Sequence, residues 1–239
     1  MEQIKNGTLH PLTLVLEQIK TIFAKQGFSV ALGPEIEDEW HNFDALNVPK
    51  DHPARDMQDT FFIKDKPGFV MRTHTSPVQV RYMKEHQPPF AIIAPGKVFR
   101  NEATDATHEM QFHQIEGLVV AEGITIEHLK GTLLAFFKEL FGESSEIRLR
   151  PSFFPFVEPG VEVDVRVGEK WLEVCGAGMV HPTVLEAGGI DPKKYTGFAF
   201  GMGLDRLAVV QLGVPDVRLF YQGDLRLNQW TTSNVAESN

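Results

Sequence analysis

Between His10 and Gly27 the apolar positions Leu12, Val15, Leu16, Ile19, Ile22 and Phe23 recur every three or four residues. That spacing lays them along one face of a helix. Pro11 suits its first turn, where a missing N–H costs nothing, and Gly27 suits its end. The stripe is broad enough to pack on a core or on a partner helix. A second helix is expected from Ser76–Pro77, read as cap and first turn, and must stop before Pro88–Pro89. A third runs from about Thr125 to Phe141, with Ile126, Leu129, Leu133, Phe136, Phe137 and Leu140 inward and Gly142 closing it.

Strand-like runs lie between these helices: Asp59–Lys64, Phe69–Thr75, Ala91–Glu102, Met110–Ala121, Glu146–Phe156, Val161–Val167, Lys170–Met179 and Phe198–Met202. Several read as hairpin neighbours, with Gly168–Glu169 as an evident turn. Strands do not alternate regularly with helices, which argues against a doubly wound parallel sheet. The pattern reads as one α+β domain over residues 10–230, built on a large antiparallel sheet flanked by helices. Residues 1–9 form a short lead, and the polar stretch 231–239 is expected to be a disordered tail.

One segment, GFAFGMGLDRLAVVQLG (Gly197–Gly213), changes the picture. Its glycines match no dinucleotide fingerprint, because arginine stands where a third glycine is needed, and no Gly-Lys-Ser/Thr follows. The segment reads as a strand, Phe198–Met202, entering a helix, Leu204–Leu212. Arg206 then falls in the first helical turn, where the helix dipole disfavours a cation. Two explanations stand: a buried ion pair with Asp205, or an anionic ligand that Arg206 awaits. In the second, Asp205 would orient the arginine.

Composition narrows the class. With a net charge of −9, the chain is no general nucleic-acid coat. Yet residues 70–100 hold Arg72, Arg81, Lys84, Lys97 and Arg100 against Glu85 alone, either a solvated basic face or a cleft for a polyanionic small ligand. The single cysteine, Cys175, excludes an internal disulfide, and His108 and His113, five apart, miss the helical zinc spacing. Without a signal-peptide core or a run near the ~18 apolar residues of a membrane span, the expected location is the cytoplasm.

Strand parity groups further side chains. Phe112, Gln114 and Glu116 share one face, as do Arg100 with Glu102, His74 with Ser76, and Phe154 with Phe156. Together they offer arginines for phosphate, acceptors for an ammonium group and an aromatic slot. A carboxylate attacking the α-phosphate of ATP needs that set, because such transfer depends on positioning and charge neutralisation. No nucleophilic Ser or Cys is required.

VFRNE with FHQIEG, GMGLDRLAVV, and the first helix with Gly27–Phe28 and Gly33–Pro34 resemble motifs 2, 3 and 1 of the class II aminoacyl-tRNA synthetases. Stretches such as NFDALNVP, RTHTSPVQVRYM, FFPFVEP and GAGMVHP extend the resemblance to the catalytic core of the bacterial phenylalanyl-tRNA synthetase α-subunit family, across roughly His10 to Trp230. It implies phenylalanine activation with ATP and transfer to tRNA(Phe). In the implied roles, Arg100 meets the α-phosphate and the substrate carboxylate, and Arg206 the γ-phosphate. Phe112 stacks on adenine, and Glu102 and His108 help to seat the nucleotide. His74, Ser76, Gln114 and Glu116 surround the amino acid's polar end, and Phe154 and Phe156 grip its ring. Ala199, with Gly201 beside it, floors the pocket.

The resemblance further implies Glu158 as a Mg²⁺ ligand shared with a partner chain, and Glu173 as a weaker candidate for metal-bound ATP. A β subunit completes a heterotetramer and carries editing. tRNA contact is expected mainly through a helical arm for which the residues before His10 leave no room. Two other readings stay open: a non-catalytic paralogue acting as a binding or regulatory subunit, and a class II ligase for another aromatic acid.

Overall fold

The computed structural model describes residues 7, 9–55, 60–101, 103–106 and 109–227. The first helix, α1 (Pro11–Lys25), starts where Pro11 was expected to start it, capped by the His10 ring, whose Nδ1 accepts from the Leu12 N–H at 3.2 Å. Its apolar stripe faces this chain's own core and not a partner helix. Phe23 stacks on Phe136 and on Phe200, with centroids 4.6 and 5.3 Å away.

After α1 come β1 (Ser29–Val30), β2 (Ile36–Asp38), α2 (Glu39–Asn42), β3 (Phe69–Met71) and α3 (Ser76–Glu85). The long strands β4 (Phe90–Phe99) and β5 (Gln111–Ala121) precede α4 (Ile126–Phe141). β6 (Glu146–Phe154), β7 (Val157–Val167) and β8 (Lys170–Val180) form a meander, followed by α5 (Pro182–Ala187), β9 (Thr196–Gly203) and α6 (Leu204–Leu212). The main sheet has seven strands in the order β1-β4-β5-β9-β8-β7-β6, antiparallel throughout except where β1 runs parallel to β4.

Helices α1, α4 and α6 cover one face of this sheet, and α3, α5 and the turn Asp44–Leu46 cover the other. Alternation in β9 sorts the residues of the opening motif. Phe198, Phe200 and Met202 go into the first core, while Ala199 sits against the second, in register with Leu118 of β5. Opposite Phe200 stands Gly117, where an added Cβ would lie 2.0 Å from the ring. The glycine makes room for the aromatic side chain.

Three expectations are corrected. In the run Asp59–Lys64, of which Asp59 lies outside the described residues, there is one isolated bridge, Phe62 to Val70, and no strand. The strand expected over Phe69–Thr75 ends at Met71, and the chain bends through Thr73–Thr75 into α3. Ser76 does not cap that helix but begins it, because its hydroxyl is committed to the Glu116 carboxylate at 2.7 Å. The expected tail, 231–239, lies outside the described residues.

Candidate active site

The site is built on the sheet face that carries α3. Glu116, on β5, is 4% exposed and accepts from the Thr75 N–H (3.1 Å), the Ser76 hydroxyl (2.7 Å) and the Gln79 amide (2.7 Å). Burial pushes its pKa up even so, the hydrogen bonds pulling against it. A buried carboxylate of this kind gains from a cation placed beside it. Near it, Gln114 Oε1 and His74 Nδ1 are buried acceptors with no hydrogen-bond partner. Burial, reinforced by Arg100 and Arg72, holds the His74 imidazole neutral by lowering its pKa to about 3.

These groups line one end of a cavity of about 350 Å³. Its other end is apolar: Phe154 and Phe156 face it with ring centroids 5.9 Å apart, joined by Leu46, Val184 and Ala199. All eight residues expected around the amino acid, His74, Ser76, Gln114, Glu116, Phe154, Phe156, Ala199 and Gly201, line this one cavity. Strand parity is corrected as the reason for two of the groupings, since neither His74 with Ser76 nor Phe154 with Phe156 lies in one strand. His74 lies in the bend before α3, Ser76 in the helix, and Phe156 in the β6–β7 turn.

A second cavity, about 660 Å³, adjoins it and is lined by Phe112, Glu109, Asp205, Arg206 and Tyr221. Arg100, Glu173, Gly176 and Gly201 line both. Gly176 and Gly201 are paired across β8 and β9, so the shared floor carries no side chain. A Cβ at Gly201 would meet Glu116 at 3.2 Å and Gln114 at 3.3 Å. Arg100 follows β4. Its guanidinium donates to the Thr73 carbonyl at 3.1 Å and lies 5.1 Å from the Phe112 ring centre. Glu102 and His108 lie outside the described residues.

The two explanations for Arg206 are now separable. Asp205 does not pair with it. That carboxylate, 4% exposed, accepts from the His113 backbone N–H (2.6 Å) and from the Tyr221 hydroxyl (2.6 Å). Arg206 is exposed on the second cavity with no ion-pair partner among the described residues. The expectation that Asp205 orients the arginine is therefore corrected.

The basic stretch 70–100 is divided between the two readings and the core: Lys84 and Lys97 are exposed, Arg100 lines the cavities, and two arginines are spent on the fold. Arg72, 3% exposed, donates to the carbonyls of Lys97, Gly33 and Pro34, and Arg81 clasps buried Glu37. Of its cations, Arg100 alone lines either of these two cavities. Glu158 lines neither. Its side chain is 77% exposed and lies 3.6 Å from His181. Gln79, Glu109 and Tyr221 were not anticipated. Gln79 had a signal, since it follows Ser76 by three residues and must share its helix face.

A sheet of this topology, with an aromatic-ended cavity opening onto an arginine-bearing one, defines a class II synthetase core. The family model for the tRNA synthetases class II core domain (F) matches residues 1–231. Phenylalanine–tRNA ligase α subunits are close relatives, 55% identical in Dehalococcoides mccartyi strain BAV1 over 92% of this chain and 68% of that one. That of Laribacter hongkongensis is 57% identical over 92% and 66%. The chain belongs to this α-subunit family of class II synthetases and spans about two thirds of its relatives' length. Pyrrolysyl-tRNA synthetase from Desulfitobacterium hafniense shares the fold, with a TM-score of 0.72 at 18% identity over 92% of this chain and 76% of that one.

Proposed function

We propose that the chain activates L-phenylalanine with ATP to phenylalanyl-adenylate and, assembled with a β subunit, passes the phenylalanyl group to tRNA(Phe). The observation that carries this reading is the meeting of the two cavities at Arg100 over a floor of glycine. A phenylalanine side chain suits the apolar end, where edge and face contacts with Phe154 and Phe156 favour an aromatic ligand. Its ammonium group finds acceptors in Glu116, Gln114 and neutral His74. Its carboxylate then comes to the junction.

There one carboxylate oxygen attacks the α-phosphorus of ATP, and the bond from that phosphorus to the bridging oxygen breaks. Pyrophosphate leaves with the electron pair, and no proton has to move. Arg100 offsets the negative charge that carboxylate and α-phosphate bring together, and Arg206 meets the far end of the triphosphate. Charge neutralisation of this kind is worth most where water is excluded. Adenine stacks on Phe112.

A magnesium ion suits the second cavity, whose carboxylates Glu109 and Glu173 are hard oxygen donors that could hold it together with phosphate oxygens and water. When bound, it supplies further neutralisation of the leaving pyrophosphate. Glu158, outside both cavities, is assigned to a metal site that a partner chain completes. Exposed Val30, Leu32 and Ile36, in the region resembling motif 1, support such a partner. The reading places the chain in the cytoplasm, which a single reduced cysteine suits.

Amino-acid-dependent exchange of pyrophosphate into ATP, run across the standard amino acids with and without the β subunit, tests the proposal. Exchange should depend on phenylalanine. Absence of phenylalanine-dependent exchange in the assembled complex would overturn it.

A further inference from the structure

Asp205, the acidic residue beside Arg206, takes part in a closed ring of hydrogen bonds that the reaction as described does not use. The His113 backbone N–H donates to Asp205 Oδ2 at 2.6 Å, and the Tyr221 hydroxyl donates to Asp205 Oδ1 at 2.6 Å. The third side joins His113 Nδ1 to the Tyr221 oxygen at 2.9 Å. Because the tyrosine proton is given to the carboxylate, that last bond assigns the imidazole proton to Nδ1. Burial, with Lys97 next in effect, lowers the His113 pKa to about 4 and so keeps the ring neutral in this role.

The ring ties three separate parts of the chain. His113 lies on β5 between Phe112 and Gln114, and Asp205 lies in the first turn of α6 next to Arg206. Tyr221 follows the 3-10 turn Val217–Phe220. That segment is anchored twice more, by the Val217 N–H on the Ala106 carbonyl at 3.1 Å and by the His10 ring Nε2 on the Phe220 carbonyl at 3.0 Å. The α6 N-terminus has only Gly203 as cap, with no side-chain hydrogen bond. Gly203 closes β9 in register with Gln114 of β5, and the Asp205 carboxylate adds the side-chain tie that holds the first turn of this helix to β5.

We infer that Tyr221 is a positioning residue for the nucleotide: through Asp205 and His113 it sets the separation of Phe112 from Arg206. This rests on the proposed function, in which those side chains hold the adenine and phosphate ends of ATP. Removing the hydroxyl takes one bond from the buried carboxylate and leaves the imidazole N–H with none, which frees the first turn of α6, beyond the Gly203 pairing, to move relative to β5. The amino-acid cavity is built from α3, the β6–β7 turn, the middle of β9, and Gln114 and Glu116 of β5, and none of Asp205, His113 and Tyr221 lines it.

The test is Tyr221→Phe, which keeps the aromatic wall, in the chain assembled with its β subunit. The expected result is a KM for ATP in pyrophosphate exchange, and a calorimetric Kd for ATP, each raised about tenfold. The KM for phenylalanine should stay within twofold. Asp205→Asn should act in the same direction, and the double variant should be no worse than Asp205→Asn alone, because both act through one bond network. A merely structural role would lower the active fraction and leave both KM values in place. An unchanged ATP KM and Kd in both single variants, or an equal rise for phenylalanine, overturns the inference. If the wild-type complex binds ATP yet exchanges with no amino acid, the proposed function fails and the Kd comparison alone decides the role of Tyr221. A wild type that binds no ATP overturns both.

Discussion

Under the proposed function, Ala199 is where little separates an accepted side chain from a rejected one. On β9 it stands between Leu118 and Gly178, and its methyl group bounds the apolar end of the first cavity. A hydroxyl delivered there would lose water, and an apolar pocket rejects it by on the order of 100-fold. Ala199→Gly should open the far end and raise kcat/KM for para-substituted phenylalanines roughly tenfold, the worth of about one methylene. Pyrophosphate exchange with such an analogue measures it, and unchanged discrimination would put the pocket floor elsewhere. Phe112, Gln114 and Glu116 were legible in the sequence because parity on a long strand survives into the fold, whereas Ala199 came from the family resemblance alone. Asp205 and Tyr221 were not legible, since their bonds join residues 16 positions apart and reach His113 on distant β5. Adjacency suggested the wrong partner for Asp205.

Among the elements, length decided what could be read in advance. The four longer helices, α1, α3, α4 and α6, have enough turns for their periodicity to stand out, and the structure places them within a residue or two of expectation. β1, β2, α2 and α5, of two to six residues, carry no period, and only tertiary contacts define them. The run Asp59–Lys64 misled because short alternation is cheap to find, and among its described residues the one sheet contact is the bridge to β3. Packing between elements supplies its own test. Gly117→Ala places a methyl group against the buried Phe200 ring, which cannot retreat from Phe23 behind it. Overpacking of this sort costs about 1–3 kcal/mol, so the thermal midpoint should fall by several degrees. An unaltered midpoint would mean that the core on the α1 side is looser than the geometry indicates.

The molecule as a whole records its buried imidazoles in its response to acid. His113, lowered to about 4, binds a proton in the unfolded chain below about pH 6.5 but not in the folded one until pH reaches about 4. Its contribution is complete above pH 6.5 and is lost at about 1.4 kcal/mol per pH unit as pH falls through that window. His74 acts in the same sense. Asp205, raised to about 6 by burial, acts in the opposite sense between its unfolded value of 3.8 and that point. Urea denaturation between pH 6.5 and 4.5 should show a pH slope about 1.4 kcal/mol per unit smaller in His113→Gln than in the wild type. Equal slopes would mean that His113 titrates normally in the fold. The shared floor of Gly176 and Gly201 has a consequence of another kind. No side chain rises from that glycine pair, so in the proposed reading one rigid molecule can run along it and occupy both cavities at once: an aromatic head, a stable bridge at Arg100, and a purine tail. Linking the halves makes the second binding event intramolecular, and affinity can then exceed that of either fragment by roughly 10²–10⁴. For a designer of inhibitors the joint between the cavities, and not either end, is the place to begin.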